Sequence, residues 1–338
     1  MKAAVYKGNH RLEIEEIPKP LPQATQVLVK VKYCAICGTD VHAFLYDVPP
    51  PGTVMGHEYC GTIVEVGSEV TRWREGDRVV GGGGAAPLGS LSSFKSPRFN
   101  FRTMGFDAKP VRAYAEYIAM EEWEPLPIPA GVSDEDAALC EPLGVAIHAV
   151  RRSALKLGDS VAILGAGPIG LFCVQAAKAA GAKFIVVSEP AEVRAKAALE
   201  LGADLVVDPN NDAPVDTVLA ATGGSGPDVV FECAGAPSTL DQAMNMVARE
   251  GQVMLVALAW EPTELLPVDW IGREISLETS FATTPEDWII ALELLRSGKA
   301  RTDPMVSGSS FIHLDDIQEA FLELTQPSSQ LQMIVKLG

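Results

Sequence analysis

The order of apolar and polar positions divides the chain into two textures. In the first, short β-rich runs alternate with turn residues: Ala3-Ala4-Val5-Tyr6, Val27-Leu28-Val29-Lys30-Val31, Ile63-Val64-Glu65-Val66 and Arg78-Val79-Val80. Ile17-Pro18-Lys19-Pro20-Leu21-Pro22 interrupts them. Its prolines fix φ and remove backbone donors, so a loop is predicted there. Thr39 and Asp40 are helix starters, and a short helix is predicted through His42 and Phe44. Short strands with regular glycine turns predict a mostly β first domain of barrel type.

From about residue 150 the pattern changes. Ser160-Val161-Ala162-Ile163-Leu164 is a continuous apolar strand, followed at once by Gly165-Ala166-Gly167-Pro168-Ile169-Gly170 and a helical stretch from Leu171 to Ala180. Strands at 184–187, 205–207, 229–231, 253–256 and 275–277 continue the alternation with helical stretches. This predicts an α/β doubly wound parallel sheet. A helix over 289–296 and a last strand over 333–336 remain, and that strand resembles the opening of the chain more than its middle. The 338 residues are therefore read as a first, catalytic domain over 1–149 completed by 283–338, and a dinucleotide-binding domain over 150–282.

Composition narrows the picture by exclusion. The net charge of −17 makes nucleic acid and anionic membrane surfaces poor partners, since phosphate binding needs clustered Lys and Arg. No apolar run has the length of a membrane span, and the N-terminus has no signal-peptide core. A cytoplasmic protein with reduced thiols is expected. Cys60, Cys173 and Cys233 lie among apolar neighbours and read as small buried hydrophobes. One segment, 81–112, runs against the acidic balance. It holds Lys95, Arg98, Arg102, Lys109 and Arg112 against Asp107 alone, with four phenylalanines interleaved. It reads as a solvated surface lobe, a subunit contact, or a guide for an anionic substrate.

Two constellations carry chemistry. The first is the glycine turn. It follows a strand, opens a helix, and is followed by Glu189 at the end of the next strand, which is the context a dinucleotide fingerprint needs. Gly165 permits the tight turn, Gly167 lets a pyrophosphate approach the helix N-terminus, and Gly170 allows close packing. Glu189 can accept from the ribose hydroxyls and repels a 2′-phosphate, which favours NAD over NADP; Arg194 is the counterargument. The second constellation is Cys37-Gly38-Thr39-Asp40-Val41-His42 with Gly56-His57-Glu58, a thiolate, an imidazole and a carboxylate of the types that bind zinc. Cys140-Glu141-Pro142-Leu143 offers further donors. Cys34 and Cys37 form C-x-x-C, but nothing thioredoxin-like surrounds them.

These motifs, with His148, keep order and spacing over nearly the whole chain. Together they resemble the zinc-dependent medium-chain alcohol dehydrogenases, in the branch of the polyol, butanediol and threonine dehydrogenases. The resemblance implies a GroES-like catalytic domain beside a Rossmann domain, and a catalytic zinc held by Cys37, His57 and either Glu58 or Glu141, with Cys140 as an alternative donor. It implies oxidation of a secondary alcohol (a diol, polyol or amino alcohol) to a ketone, with hydride passing to NAD. Thr39 and His42 would relay the proton, although Thr39 also fits as a helix cap. His148 is expected to sit structurally between the domains. Further cofactor contacts are implied for Pro168, Ile169, Arg194, Cys233, Val256, Ala257, Leu258, Ser280, Phe281 and Ala282. A homodimer or homotetramer is implied too, pairing through a strand near 275–280. Two departures matter. No cysteine lies between Cys60 and Cys140, where relatives hold a structural zinc, so one zinc per subunit is expected. The Arg-Tyr pair of sorbitol-type enzymes is replaced by Ser280-Phe281-Ala282-Thr283-Thr284, which makes sorbitol itself doubtful. The competing readings are a zinc-free NADPH-dependent reductase on the same fold and a non-catalytic nucleotide-binding subunit.

Overall fold

The computed structural model describes residues 1–81, 111–325 and 330–338. The basic positions Lys95, Arg98, Arg102 and Lys109 of the 81–112 segment lie outside the described residues. The chain divides into two compact units, Met1–Glu141 with Val306–Gly338, and Pro142–Met305.

The first unit is mostly β. Strands β1 (Lys2–Gly8) and β2 (Arg11–Glu16) form an antiparallel hairpin. The long strand β3 (Gln26–Ala35) organises the rest. It pairs along its length with β4 (Glu58–Val66). Beyond β4 lie β5 (Arg78–Val80) and then β7 (Leu126–Pro127). The other edge of β3 is shared: β6 (Tyr117–Glu121) covers its first half. The C-terminal strand β15 (Ile334–Lys336), flanked by β14 (Phe311–His313), covers its end. Residues that alternate inward along these strands, among them Val27, Val29, Val31, Ile63 and Val79, are fully buried in one core with Tyr6, Phe44, Tyr114 and Phe321. The helix Gly38–Leu45 packs on this core through Val41, Ala43 and Phe44.

The second unit is a six-stranded, all-parallel sheet. Its strands are β8 (Ser160–Leu164), β9 (Phe184–Ser188), β10 (Leu205–Val207), β11 (Val229–Glu232), β12 (Gln252–Leu255) and β13 (Ser276–Thr279), in the spatial order β10-β9-β8-β11-β12-β13. This is the doubly wound order, with its topological switch between β8 and β11. All five residues of β8 are buried, as a central parallel strand covered on both faces requires. Register aligns the strand ends: Val207, Ser188, Leu164, Glu232, Leu255 and Thr279 form one row across the sheet.

The unit boundaries differ from those expected. The second unit begins at Pro142 and runs to Met305, so the helix Pro285–Arg296 belongs with the parallel sheet and not with the first domain. The reason lies in Asp287, which is fully buried. It accepts from the Thr284 backbone N–H at 2.7 Å and the Thr284 hydroxyl at 2.8 Å in a capping box. It also accepts from Arg151 at 2.5 Å and pairs with the His148 ring at 2.7 Å, tying this helix to the helix Cys140–Arg152. His148, expected between the domains, is thus engaged within one unit.

Burial disfavours the charged form of Asp287, but the hydrogen bonds from Thr284 and Arg151 and the nearby His148 outweigh it and hold its carboxyl below the usual range. Stability from a depressed carboxyl is present above the unfolded-state value of about 4 and is lost as pH falls through the folded-state value. Asp287→Asn is expected to destabilise the second unit by roughly 2 kcal/mol at pH 7. In urea unfolding, the gap from the parent protein should close below about pH 4.

Candidate active site

The donor cluster is built by three neighbouring pieces of the first unit. Cys37 is the N-cap of the helix Gly38–Leu45, and its sulfur accepts the Thr39 N–H at 3.4 Å. His57 immediately precedes β4, and Glu58 opens it opposite Ala35. One ligand atom from each of Cys37, His57 and Glu58 lies within 4.8 Å of the others, and this is the one such group among the described residues. Gly56 sets the approach. Its φ of +97° lies in the left-handed region, and a Cβ there would stand 2.8 Å from the Tyr114 ring and 3.0 Å from the Cys34 sulfur.

Electrostatics define what the cluster needs. Glu58 is 2% exposed, and its Oε2 has no hydrogen-bond partner. Burial and the nearby Glu141 charge push its carboxyl up to about 8. Burial and the Glu58 charge push the Cys37 thiol up to about 12, against the opposing pull of His57. Burial also raises Glu141. A thiol and two carboxyls that resist ionisation together, one with an orphaned oxygen, fit a divalent cation: it supplies the charge each lacks and displaces their protons. The donor types and the compact spacing fit zinc. Glu141 stands outside the 4.8 Å group but close enough to act on Glu58.

Asp40 was not picked out by the sequence pattern as a site residue. It is 1% exposed, and its Oδ1 faces His57 Nδ1 at 3.5 Å. Its Oδ2 accepts from the Tyr114 hydroxyl at 2.8 Å. Burial works against the Asp40 charge, but His57 and Tyr114 outweigh it and hold the carboxyl low. The same carboxylate raises His57 well above its ordinary value despite burial. The available signal was a charged residue among apolar helix positions.

The other sequence candidates fall into place around this cluster. Thr39 and His42 lie on the helix capped by Cys37, three positions apart and therefore on one face. His42 Nδ1 is 2.7 Å from the Gly38 carbonyl, and its ring stacks on Tyr46. Cys34 is buried, its thiol pointing at the Ala35 carbonyl at 3.7 Å, and burial raises it strongly. Cys140 is likewise buried and raised. Neither joins the donor group, and all six cysteines are free thiols.

In the second unit the nucleotide candidates share one edge. Gly165, Glu189, Cys233, Val256 and Ser280 each directly follow the C-terminal end of a strand, in β8, β9, β11, β12 and β13 respectively. The row of paired strand ends brings them out on one side, where ligands of open α/β sheets bind. Gly165 has φ +88°, and a Cβ there would meet Ala234 at 2.9 Å; one on Gly170 would meet the Gly165 carbonyl at 1.9 Å. At Gly167 nothing lies within 4 Å, so the N-terminus of the helix Pro168–Ala180 is open to an approaching group. Glu189 is 4% exposed and accepts backbone N–H groups on both oxygens, from Ala166 at 2.7 Å and Ala191 at 2.9 Å. Arg194 Nε and Ser280 Oγ are buried without a partner. Such groups are rare in folded proteins and fit a polar ligand. Cys233 donates to Cys173 at 3.8 Å, Leu258 and Phe281 are exposed, and Ala282 has φ +57°.

Comparison with known proteins matches this geometry. Residues 23–130 match the family model of the alcohol dehydrogenase GroES-like domain, and residues 168–297 that of the zinc-binding dehydrogenases. The chain is 35% identical to (R,R)-butanediol dehydrogenase of Bacillus subtilis, covering 99% of both. It is also 35% identical to a sorbitol dehydrogenase of Halalkalibacterium halodurans, over 91% of this chain and 92% of that one. Among solved structures, a zinc-binding dehydrogenase from Sinorhizobium meliloti, bound to NADP, superposes with a TM-score of 0.88 at 31% identity, covering 99% and 98%. The chain belongs to the zinc-dependent medium-chain alcohol dehydrogenases, in their polyol-type branch. It is an oxidoreductase that acts on the CH–OH group of a small-molecule alcohol, with the zinc and nicotinamide cofactor typical of that family.

Gly56→Ala combines a left-handed backbone with overlap on Tyr114. It is expected to cost about 3 kcal/mol in unfolding experiments, and to lower the metal content of the purified protein by displacing His57.

Proposed function

We propose that the protein oxidises a secondary alcohol (a diol, polyol or amino alcohol) to the ketone with NAD, using one zinc ion per subunit. The observation that carries this is the group formed by Cys37, His57 and Glu58 within 4.8 Å. Glu58 is the better third ligand, because its buried Oε2 lacks a partner, and Glu141 is the carboxylate held in reserve beside it. The zinc supplies a Lewis acid that lowers the pKa of an alcohol, and the nicotinamide supplies a hydride acceptor.

The chain's own groups manage the proton and the orientation. Thr39 is the candidate to accept the alcohol proton through its hydroxyl. His42 is the candidate to pass it on: with Nδ1–H donating to the Gly38 carbonyl, the other ring nitrogen is left basic. Asp40 fixes the His57 ring. Gly167 and the open helix N-terminus receive a pyrophosphate, while Gly165, Pro168, Ile169 and Gly170 shape that turn. Glu189, Arg194, Cys233, Val256, Ala257, Leu258, Ser280, Phe281 and Ala282 are proposed to contact the dinucleotide. The S. meliloti relative holds NADP, but Glu189 supports NAD here, because a 2′-phosphate would face its carboxylate.

A screen of diols, polyols and amino alcohols, following absorbance of the reduced cofactor, tests the reading. Metal analysis should return one zinc per subunit, and the activity should favour NAD over NADP by about a hundredfold. Removing the zinc with a chelator, or Glu58→Gln, should lower kcat/KM by about a thousandfold. Activity that survives chelation defeats the proposal.

The edge strand β13 supports a homo-oligomer. Ser276, Leu277 and Thr279 are exposed on it, with Leu266, Val268 and Ile271 exposed nearby in sequence. An open edge of this kind invites pairing. Light scattering is expected to report a dimer or tetramer, and Leu277→Lys should shift it toward monomer.

A further inference from the structure

The Tyr114 hydroxyl has no role in the chemistry described so far, yet it is tied to the donor cluster. Tyr114 is fully buried, and its ring is held on several sides. Its backbone N–H donates to the Met55 carbonyl at 2.8 Å, and its own carbonyl accepts from Ala4 at 2.8 Å. Phe321 meets the ring edge-on at 5.9 Å. Gly56 presses against both ring and backbone. A phenol has one proton to donate. Two acceptors compete for it, the Asp40 carboxylate at 2.8 Å and the Ala35 carbonyl at 3.4 Å. The carboxylate is both nearer and charged, so it takes the bond. The second Asp40 oxygen faces His57 Nδ1.

We infer that Tyr114 is a positioning residue for the metal centre: by fixing the Asp40 carboxylate it sets the orientation and tautomer of the His57 ring, and so presents the other ring nitrogen to the metal. The inference rests on the proposed role of His57 as a ligand. Without the hydroxyl, Asp40 Oδ2 loses its donor at 2.8 Å, and the carboxylate is held less firmly against Nδ1. Outer partners of ligating histidines act in this way on affinity and ligand geometry. The remaining anchors of the Tyr114 ring do not involve the hydroxyl, so phenylalanine keeps them all.

The test uses the zinc-loaded enzyme and its cobalt-substituted form. Tyr114→Phe is expected to weaken zinc binding about tenfold in competition with a chromophoric chelator, and to shift the visible ligand-field bands of the cobalt enzyme. In an Asp40→Asn background the same substitution should add little, because both act through one chain of contacts. A purely structural role would lower the melting temperature and leave zinc affinity and the cobalt spectrum as in the parent protein. That result overturns the inference if His57→Ala has lost zinc. If His57→Ala keeps parental zinc affinity, the ligand assignment falls first and the inference falls with it.

Discussion

Crowding of ionisable donors at the first turn of one helix and the first residue of one strand is the constraint on which the first unit depends. Glu58 is buried, Cys37 and His57 are half-buried, and the fold brings all three within 4.8 Å, where the thiol and the carboxyl resist ionising together unless a cation offsets them. It does so with rigid parts. Cys37 is fixed because it caps a helix. Glu58 is fixed because it is locked into the ladder against Ala35. His57 is fixed because Gly56 can adopt a backbone conformation that other residues resist. A bound cation would offset the cost of gathering these groups, and Asp40 compensates the imidazole from within the core.

The second unit solves a different problem by alignment. Six strands end in one row, so residues far apart in sequence emerge on the same side. Gly165 and Glu189 are joined further by the Ala166 N–H that Glu189 accepts. The acid that would face a ribose therefore also braces the glycine turn. A change at Glu189 acts on the turn as well as on any nucleotide.

Much of this was legible in the sequence, for reasons that can be stated. The strand Ser160–Leu164 is buried on both faces, so it writes itself as an unbroken apolar run. The glycine turn is legible because two of its glycines are required sterically. The cluster's three donors lie in two short motifs. The sequence reading does not predict the helix Cys140–Arg152, whose first turn holds Pro142, a residue tolerated at that position. The sequence reading ends the nucleotide domain at 282 and the second unit runs to Met305, because Asp287 looks like an ordinary surface acid until its partners Arg151 and His148, more than a hundred residues away, are in place. Asp40 and Tyr114 escaped for the same reason: their bond spans 74 positions, and no local pattern records it.

The sulfur of Cys37 has two separable duties. It accepts a backbone N–H as a helix cap, and it belongs to the donor group. The two duties make different chemical demands. A cap needs only a small acceptor, which a hydroxyl serves as well or better; a soft metal donor needs a thiolate. The first turn of this helix can therefore be kept while its metal donor is exchanged for oxygen. At this position the stability of the fold and the identity of the ion that the donor group would hold can be varied independently.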